Sequence, residues 1–249
     1  NQRIKIIAKN HQYLGVNNLM ESVKNRKELN GKLGVFWHTQ GSGKSYSMVM
    51  FARKVKRKIA GNFSFLVITD REDLDTQIHK NFVRTEVIGS KEECQPKDSK
   101  QLRDFLTTNK AFNFTLIHKI RYDKTKKYPV LSTRDDIIVL VDEAHRTQLE
   151  HAKKIKFSKN TDENMRAMVS KPYAKVLKEA LPNATFVGFT GTPISETYQT
   201  FGDEIDRYTM DQAVADGLTV SIKYHPRITK VLLDQEKVKQ IEAYYKKCA

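Results

Sequence analysis

Three short stretches of this sequence carry residue types suited to phosphate chemistry. The first is HTQGSGKS, His38 to Ser45, with glycines at 41 and 43 directly before Lys44 and Ser45. Glycine lets a backbone turn so that successive N–H groups face an anion, and a helix starting near Lys44 adds its positive end. In such a loop Gly41, Ser42 and Gly43 form the cradle, Lys44 reaches the outer phosphates of a nucleotide, and Ser45 offers its hydroxyl to Mg²⁺. The strict pattern G-x-x-x-x-G-K-[ST] wants glycine where this chain has His38. Taken alone, the stretch also suits a glycine-rich hairpin or a helix N-cap. The second stretch, IIVLVDEAH, favours the nucleotide. Asp142 and Glu143 close an apolar run, where one carboxylate can hold a metal ion and its neighbour can orient or deprotonate water. Plain surface caps at a strand end are the alternative. The third stretch, GFTGTP (Gly188 to Pro193), sets the hydroxyls of Thr190 and Thr192 after another apolar run.

These residues need a scaffold that brings them together, and the apolar patterning supplies one. LGVFW (33–37), FSFLVIT (63–69), FTLIH (114–118), IIVLV (137–141) and TFVGFT (185–190) are near-continuously apolar, as strands buried on both faces of a parallel sheet are. Segments with helical spacing lie between them, including Ser45 to Ile59 and Glu72 to Val83. Alternating strands and helices imply an α/β, doubly wound parallel sheet. Ligands in such folds bind outside the carboxyl ends of the strands. There the sequence places His38–Ser45, Thr69-Asp70-Arg71, Asp142–Arg146 and Gly191-Thr192-Pro193, so four stretches converge on one crevice. Residues 89–109, 119–135 and 148–172 are polar and weakly periodic, and read as surface excursions. After Phe201-Gly202 come a connecting region, a helical stretch near Met210 to Asp216, the strand-like VSIKYHPRITKVLL and a charged terminal helix. We divide the chain into residues 1–205, the nucleotide-binding domain, and 206–249, a connector and the beginning of a second lobe.

Composition narrows the partners. With 44 Lys+Arg against 29 Asp+Glu the net charge is +15, which favours a polyanion, although any single basic cluster, such as RKVKRK at 53–58, is also an ordinary solvated helix face. Cys94 and Cys248 lie far apart and outside any metal-binding spacing, which points to a reducing, cytoplasmic setting without zinc or disulfides. No apolar run approaches the roughly 20 residues of a membrane span. The chain begins at Asn1 without methionine, as a fragment does.

Gly41-Ser42-Gly43-Lys44-Ser45, DEAH (142–145) and Thr190-Gly191-Thr192 together resemble motifs I, II and III of superfamily 2 helicases and translocases. WHTQGSGKS, VITDREDLDTQI, VLVDEAHRTQ and LPNATFVGFTGTPI resemble more closely the motor domain of HsdR, the restriction subunit of type I restriction-modification enzymes, over about His11 to Val220. The resemblance implies a RecA-like P-loop NTPase fold, the first motor lobe of a translocase that uses ATP and Mg²⁺. It also implies double-stranded DNA as the track and methylation (M) and specificity (S) subunits as partners.

The resemblance further assigns roles. Gln12 stands at the adenine-reading position, against an ordinary exposed glutamine on a first helix. Asp142 holds Mg²⁺, and Glu143 activates water. His145, Thr190 and Thr192 couple nucleotide state to DNA contacts, against a merely structural hydroxyl-rich turn. Arg71 and Arg146 either lie near the DNA path or pair with neighbouring carboxylates. The second lobe of such motors supplies an arginine finger. No such stretch follows here, so the fragment is expected to bind ATP·Mg but to hydrolyse it poorly alone, and it carries no nuclease site. A DEAH-type RNA helicase or a remodelling motor outside restriction systems is the alternative enzyme. A binding module with a vestigial loop is the non-catalytic one.

Overall fold

A computed structural model describes residues 5–89, 91–117, 130–148, 173–221 and 223. Among the described residues, six strands form one sheet: β1 (Lys32–His38), β2 (Ser64–Thr69), β3 (Phe112–Leu116), β4 (Ile137–Val141), β5 (Thr185–Thr190) and β6 (Glu204–Tyr208), in the order β3-β2-β4-β5-β1-β6. Every pairing is parallel. The five apolar runs become β1 to β5. β6 is an addition that the apolar pattern does not announce.

Alternate residues of each inner strand feed opposite faces, the pleat's period of two. In β4, Ile138 and Leu140 join the core packed by α1 (Asn10–Lys24), α2 (Lys44–Lys58) and α3 (Glu72–Arg84). Ile137, Val139 and Val141 join the core packed by α5 (Ser99–Thr107), α6 (Tyr173–Ala180) and α7 (Ser195–Phe201). The sheet is therefore covered on both sides, as doubly wound α/β folds require. α4 (Lys91–Cys94) and α8 (Met210–Ala215) complete the described helices.

Two expectations need amendment. Residues 89–109 are not a loop excursion: they contain α4 and α5, and α5 sinks Leu102 and Leu106 into the second core while its polar face stays out. The stretch after Gly202 is not a plain connector. β6 straddles the 205/206 division and pairs with β1 along Val35↔Glu204 to His38↔Tyr208. The described residues up to Thr219, β6 and α8 included, fall in one compact unit, which ends before Val220. VSIKYHPRITKVLL and the terminal helix lie almost wholly outside the described residues, as do most of 119–135 and nearly all of 148–172.

Candidate nucleotide site

His38 ends β1, and the loop after it turns through Gly41 (φ 81°) and Gly43 (φ 85°) into α2, which Lys44 opens. Both glycines lie in the left-handed region that other residues enter only at a cost of about 1–2 kcal/mol. A Cβ on Gly43 would also stand 2.6 Å from Gln12 Nε2. His38 has no such strain: it is extended β backbone, so glycine is not required at the first place of the loop.

Lys44 is half-buried and folds onto its own loop, donating from Nζ to the His38 carbonyl at 3.1 Å and the Thr39 carbonyl at 3.4 Å. Burial lowers its pKa, and the charges of Glu143 and Asp142 partly restore it. The lysine and the two carboxylates therefore share one electrostatic pocket. Ser45 lies in the first turn of α2, partly buried, and the Ser42 hydroxyl is buried without a protein partner.

Gln12 lies on the buried face of α1, which excludes the reading as an ordinary exposed glutamine. Its Nε2 donates to the Gly43 carbonyl at 3.0 Å, while its Oε1 accepts the Lys9 amide at 3.0 Å. Beside it, His11 Nε2 contacts the Ser42 carbonyl at 2.9 Å. The first helix thus grips the phosphate loop through two successive carbonyls.

Across the crevice, Asp142 follows β4. Burial pushes its carboxyl up to about 6, Glu143 adds to the rise, and Lys44 opposes it. A carboxylate desolvated this far and aimed at a crevice is short of positive charge, which suits a divalent cation. Glu143 is held at φ 46°, a left-handed conformation rare outside glycine and frequent where chemistry dictates the backbone. The following 3₁₀ turn, Ala144–Gln148, aims His145 at Thr190, with Nδ1 to Oγ1 at 2.8 Å, at Thr192 Oγ1 at 3.4 Å, and at Glu143 Oε2 at 3.5 Å. Burial lowers the His145 pKa. The second and third stretches are therefore physically joined.

Of the two arginines, Arg146 pairs with Asp70 at 2.9 Å, whereas Arg71 is 59% exposed and only 4.0 Å from the same carboxylate oxygen. Arg146 thus takes the carboxylate-pairing alternative, while Arg71 leaves most of its guanidinium facing solvent. Asp206 and His11 join the site unannounced by the motifs, and Asp70 and Trp37, which stand in the motif stretches, gain a part there that the sequence did not assign. Trp37 Nε1 donates to the Gly191 carbonyl at 3.1 Å and fixes the third stretch against the loop.

These residues fit a nucleoside triphosphate with one divalent cation: a left-handed glycine turn opening a helix, a lysine, and a single desolvated carboxylate. Mg²⁺ in nucleotide sites takes one or two carboxylates and fills the rest with phosphate oxygens and water. Among the described residues, no group of three or more His, Cys, Asp or Glu could hold a metal by itself. None of the described helices is long and apolar enough to cross a membrane.

An all-parallel sheet with a phosphate loop after β1 and an acidic pair after β4 defines a RecA-like ATPase lobe. The sequence matches the SWI2/SNF2 ATPase family over residues 11–248, and the chain belongs to that family. It is 39% identical over 231 residues to the type I restriction enzyme HindI endonuclease subunit of Haemophilus influenzae, covering 89% of this chain and 21% of that one. Against the putative type I restriction enzyme MjaIXP endonuclease subunit of Methanocaldococcus jannaschii, identity is 32% over 212 residues, covering 82% and 18%. The fold is similar to that of the ATP-dependent Type ISP restriction-modification enzyme LlaBIII bound to DNA, with TM-score 0.56 at 16% identity over 85% of this chain and 16% of that chain. The chain thus spans about a fifth of the length of the curated relatives it matches.

Proposed function

We propose that this chain is the first ATP-driven motor lobe of the endonuclease subunit of a type I restriction enzyme, moving double-stranded DNA at the expense of ATP·Mg alongside methylation and specificity subunits. The observation that carries the reading is the shared pocket of Lys44, Asp142 and Glu143, closed by the contact of His145 with Thr190. Bound Mg²⁺ supplies charge neutralisation on the phosphate oxygens. In this reading Asp142 holds that ion with Ser45, and Lys44 exchanges its two loop carbonyls for phosphate oxygens. Glu143, steadied by His145, takes the proton of the attacking water. His145 then reports the state of Glu143 to Thr190 and Thr192, and Gln12 reports the loop's position to α1.

The net charge of +15 and the exposed guanidinium of Arg71 support a phosphate-lined track, as backbone-following proteins need. Residues 220–249 lead in this reading toward a second lobe, which completes the catalytic site. On the intact subunit, Lys44→Ala is expected to weaken nucleotide binding by at least about 100-fold, and Glu143→Gln to keep binding while slowing turnover by about 1,000-fold. Duplex DNA, not RNA, is expected to stimulate turnover. Unchanged ATPase activity in Lys44→Ala refutes the assignment of the loop, and stimulation by RNA alone refutes the restriction-motor reading in favour of an RNA helicase.

A further inference from the structure

The edge strand β6 does more than widen the sheet. His38 is wholly buried, and its Nε2 meets Asp206 Oδ2, on β6, at 2.6 Å. Burial lowers the His38 pKa, and the hydrogen bond to Asp206 opposes it. The ring's Nδ1 is buried without a partner. A buried polar atom left unpaired opposes folding, so stability alone does not favour histidine here over an apolar ring of similar volume.

The same strand and the helix that follows it each make one more attachment to the start of the loop. The Thr39 amide donates to the Tyr208 carbonyl at 2.9 Å, and Thr39 Oγ1 lies 4.0 Å from Met210 Sδ at the head of α8. His38 and Thr39 are the two residues whose carbonyls hold Lys44 Nζ. Tyr208 also stacks on His11 at 4.0 Å between ring centres and 9° between planes, and His11 in turn holds the Ser42 carbonyl. Asp206 is fixed from the other side by Asn18 of α1, whose Nδ2 donates to Oδ1 at 3.0 Å. Gly15 lets α1 come that close, since a Cβ there would stand 2.8 Å from Asp206 Oδ2 and 2.7 Å from the Phe36 ring.

We infer that Asp206 is a positioning residue for the phosphate loop, acting through the His38 side chain to set the carbonyls that park Lys44. The inference rests on the ATP-binding reading above. It assigns the histidine at the first place of the loop a task that glycine cannot perform: tying the loop to a strand that lies 168 residues further along the chain.

The test measures binding of a fluorescent ATP analogue with Mg²⁺ to the intact subunit, together with thermal midpoint, KM and kcat. His38→Phe keeps the ring among Phe36 and Tyr208 and removes the link to Asp206, whose other oxygen stays bonded to Asn18, so it is expected to fold with a midpoint close to that of the wild type. Both His38→Phe and Asp206→Ala are expected to raise the dissociation constant and KM about 10-fold while kcat falls less than about 3-fold, and the double variant to be no weaker than either single one. Asp211→Asn, an exposed acid on α8, is expected to leave binding unchanged. Binding by His38→Phe within about twofold of wild type overturns the inference, as do effects that add in the double variant. His38→Phe decides the matter if Asp206→Ala does not fold. Failure of the wild-type subunit to bind the analogue at all overturns the nucleotide reading itself, and this inference with it.

Discussion

Replacing Asp142 by asparagine is expected to stabilise the nucleotide-free chain while removing its capacity to hold a metal-bound nucleotide. Burial, the negative charge of Glu143 and the weaker field of Asp70 raise the Asp142 carboxyl from its ordinary 3.8 to about 6. A group raised in this way binds its proton more tightly in the folded state than in the unfolded one between those two values. The folded state therefore loses stability as pH climbs through that window and carries the full cost above it. A displacement of about two pH units corresponds to at most about 3 kcal/mol. That figure already includes the opposing attraction of Lys44 and the bond from the Glu143 amide, so an amide of the same shape is expected to gain about 1–3 kcal/mol at neutral pH. Urea denaturation of the wild-type chain and Asp142→Asn at pH values from 4.5 to 8, without nucleotide, measures it. The variant is expected to be the more stable at pH 7.5, and the gap to shrink as pH falls through 6. An asparagine variant that is less stable at pH 7.5, or a gap that does not change with pH, refutes the account of Asp142 as a desolvated charge awaiting a cation.

Gly43→Ala forces a left-handed alanine against Gln12 Nε2 and is expected to weaken nucleotide binding about 10-fold or more, read by fluorescence titration. Thr190→Val removes the hydroxyl that meets His145; DNA-stimulated turnover is expected to fall about 10-fold while the nucleotide dissociation constant stays within about threefold. Arg146→Ala strands the buried Asp70 carboxylate and is expected to cost about 1–3 kcal/mol in denaturant titration, toward the lower end because Arg146 is itself one-third exposed. Phe36→Ala opens a cavity beneath α1 at a wholly buried position and is expected to cost about 3–5 kcal/mol in the same measurement.

The inner strands were legible because a strand buried on both faces has no room for polar residues, and IIVLV and TFVGFT have almost none. β6 was not legible for the same reason reversed. At the sheet's edge EIDRY is mostly half-buried, keeps its charges, and reads as a linker. α5 escaped notice because only Leu102 and Leu106 anchor it, too few to mark a period of 3.6. Gly41 to Ser45 and Asp142 could be found from sequence because phosphate binding imposes local spacing. The pairing of Arg146 with Asp70, and of His38 with Asp206, carries no local signature, since residues far apart in the chain meet only through strand order. The burial of Gln12 was hidden likewise: a polar residue on a helix is expected outside, and here the buried partner is a loop carbonyl.

The place of β1 in the sheet has a consequence for how the protein is made. Both of its neighbours, β5 and β6, are encoded some 150 residues downstream, as in the pairing of Lys32 with Phe186. At about 5–20 residues per second, a ribosome leaves β1 without a hydrogen-bonded neighbour for roughly 10–30 s after it emerges. During that interval an apolar strand with two bare edges invites pairing with other chains. The phosphate loop, although translated before both neighbours of its strand, is assembled only after them, and a nascent chain halted before Tyr208 is expected to lack a formed nucleotide site.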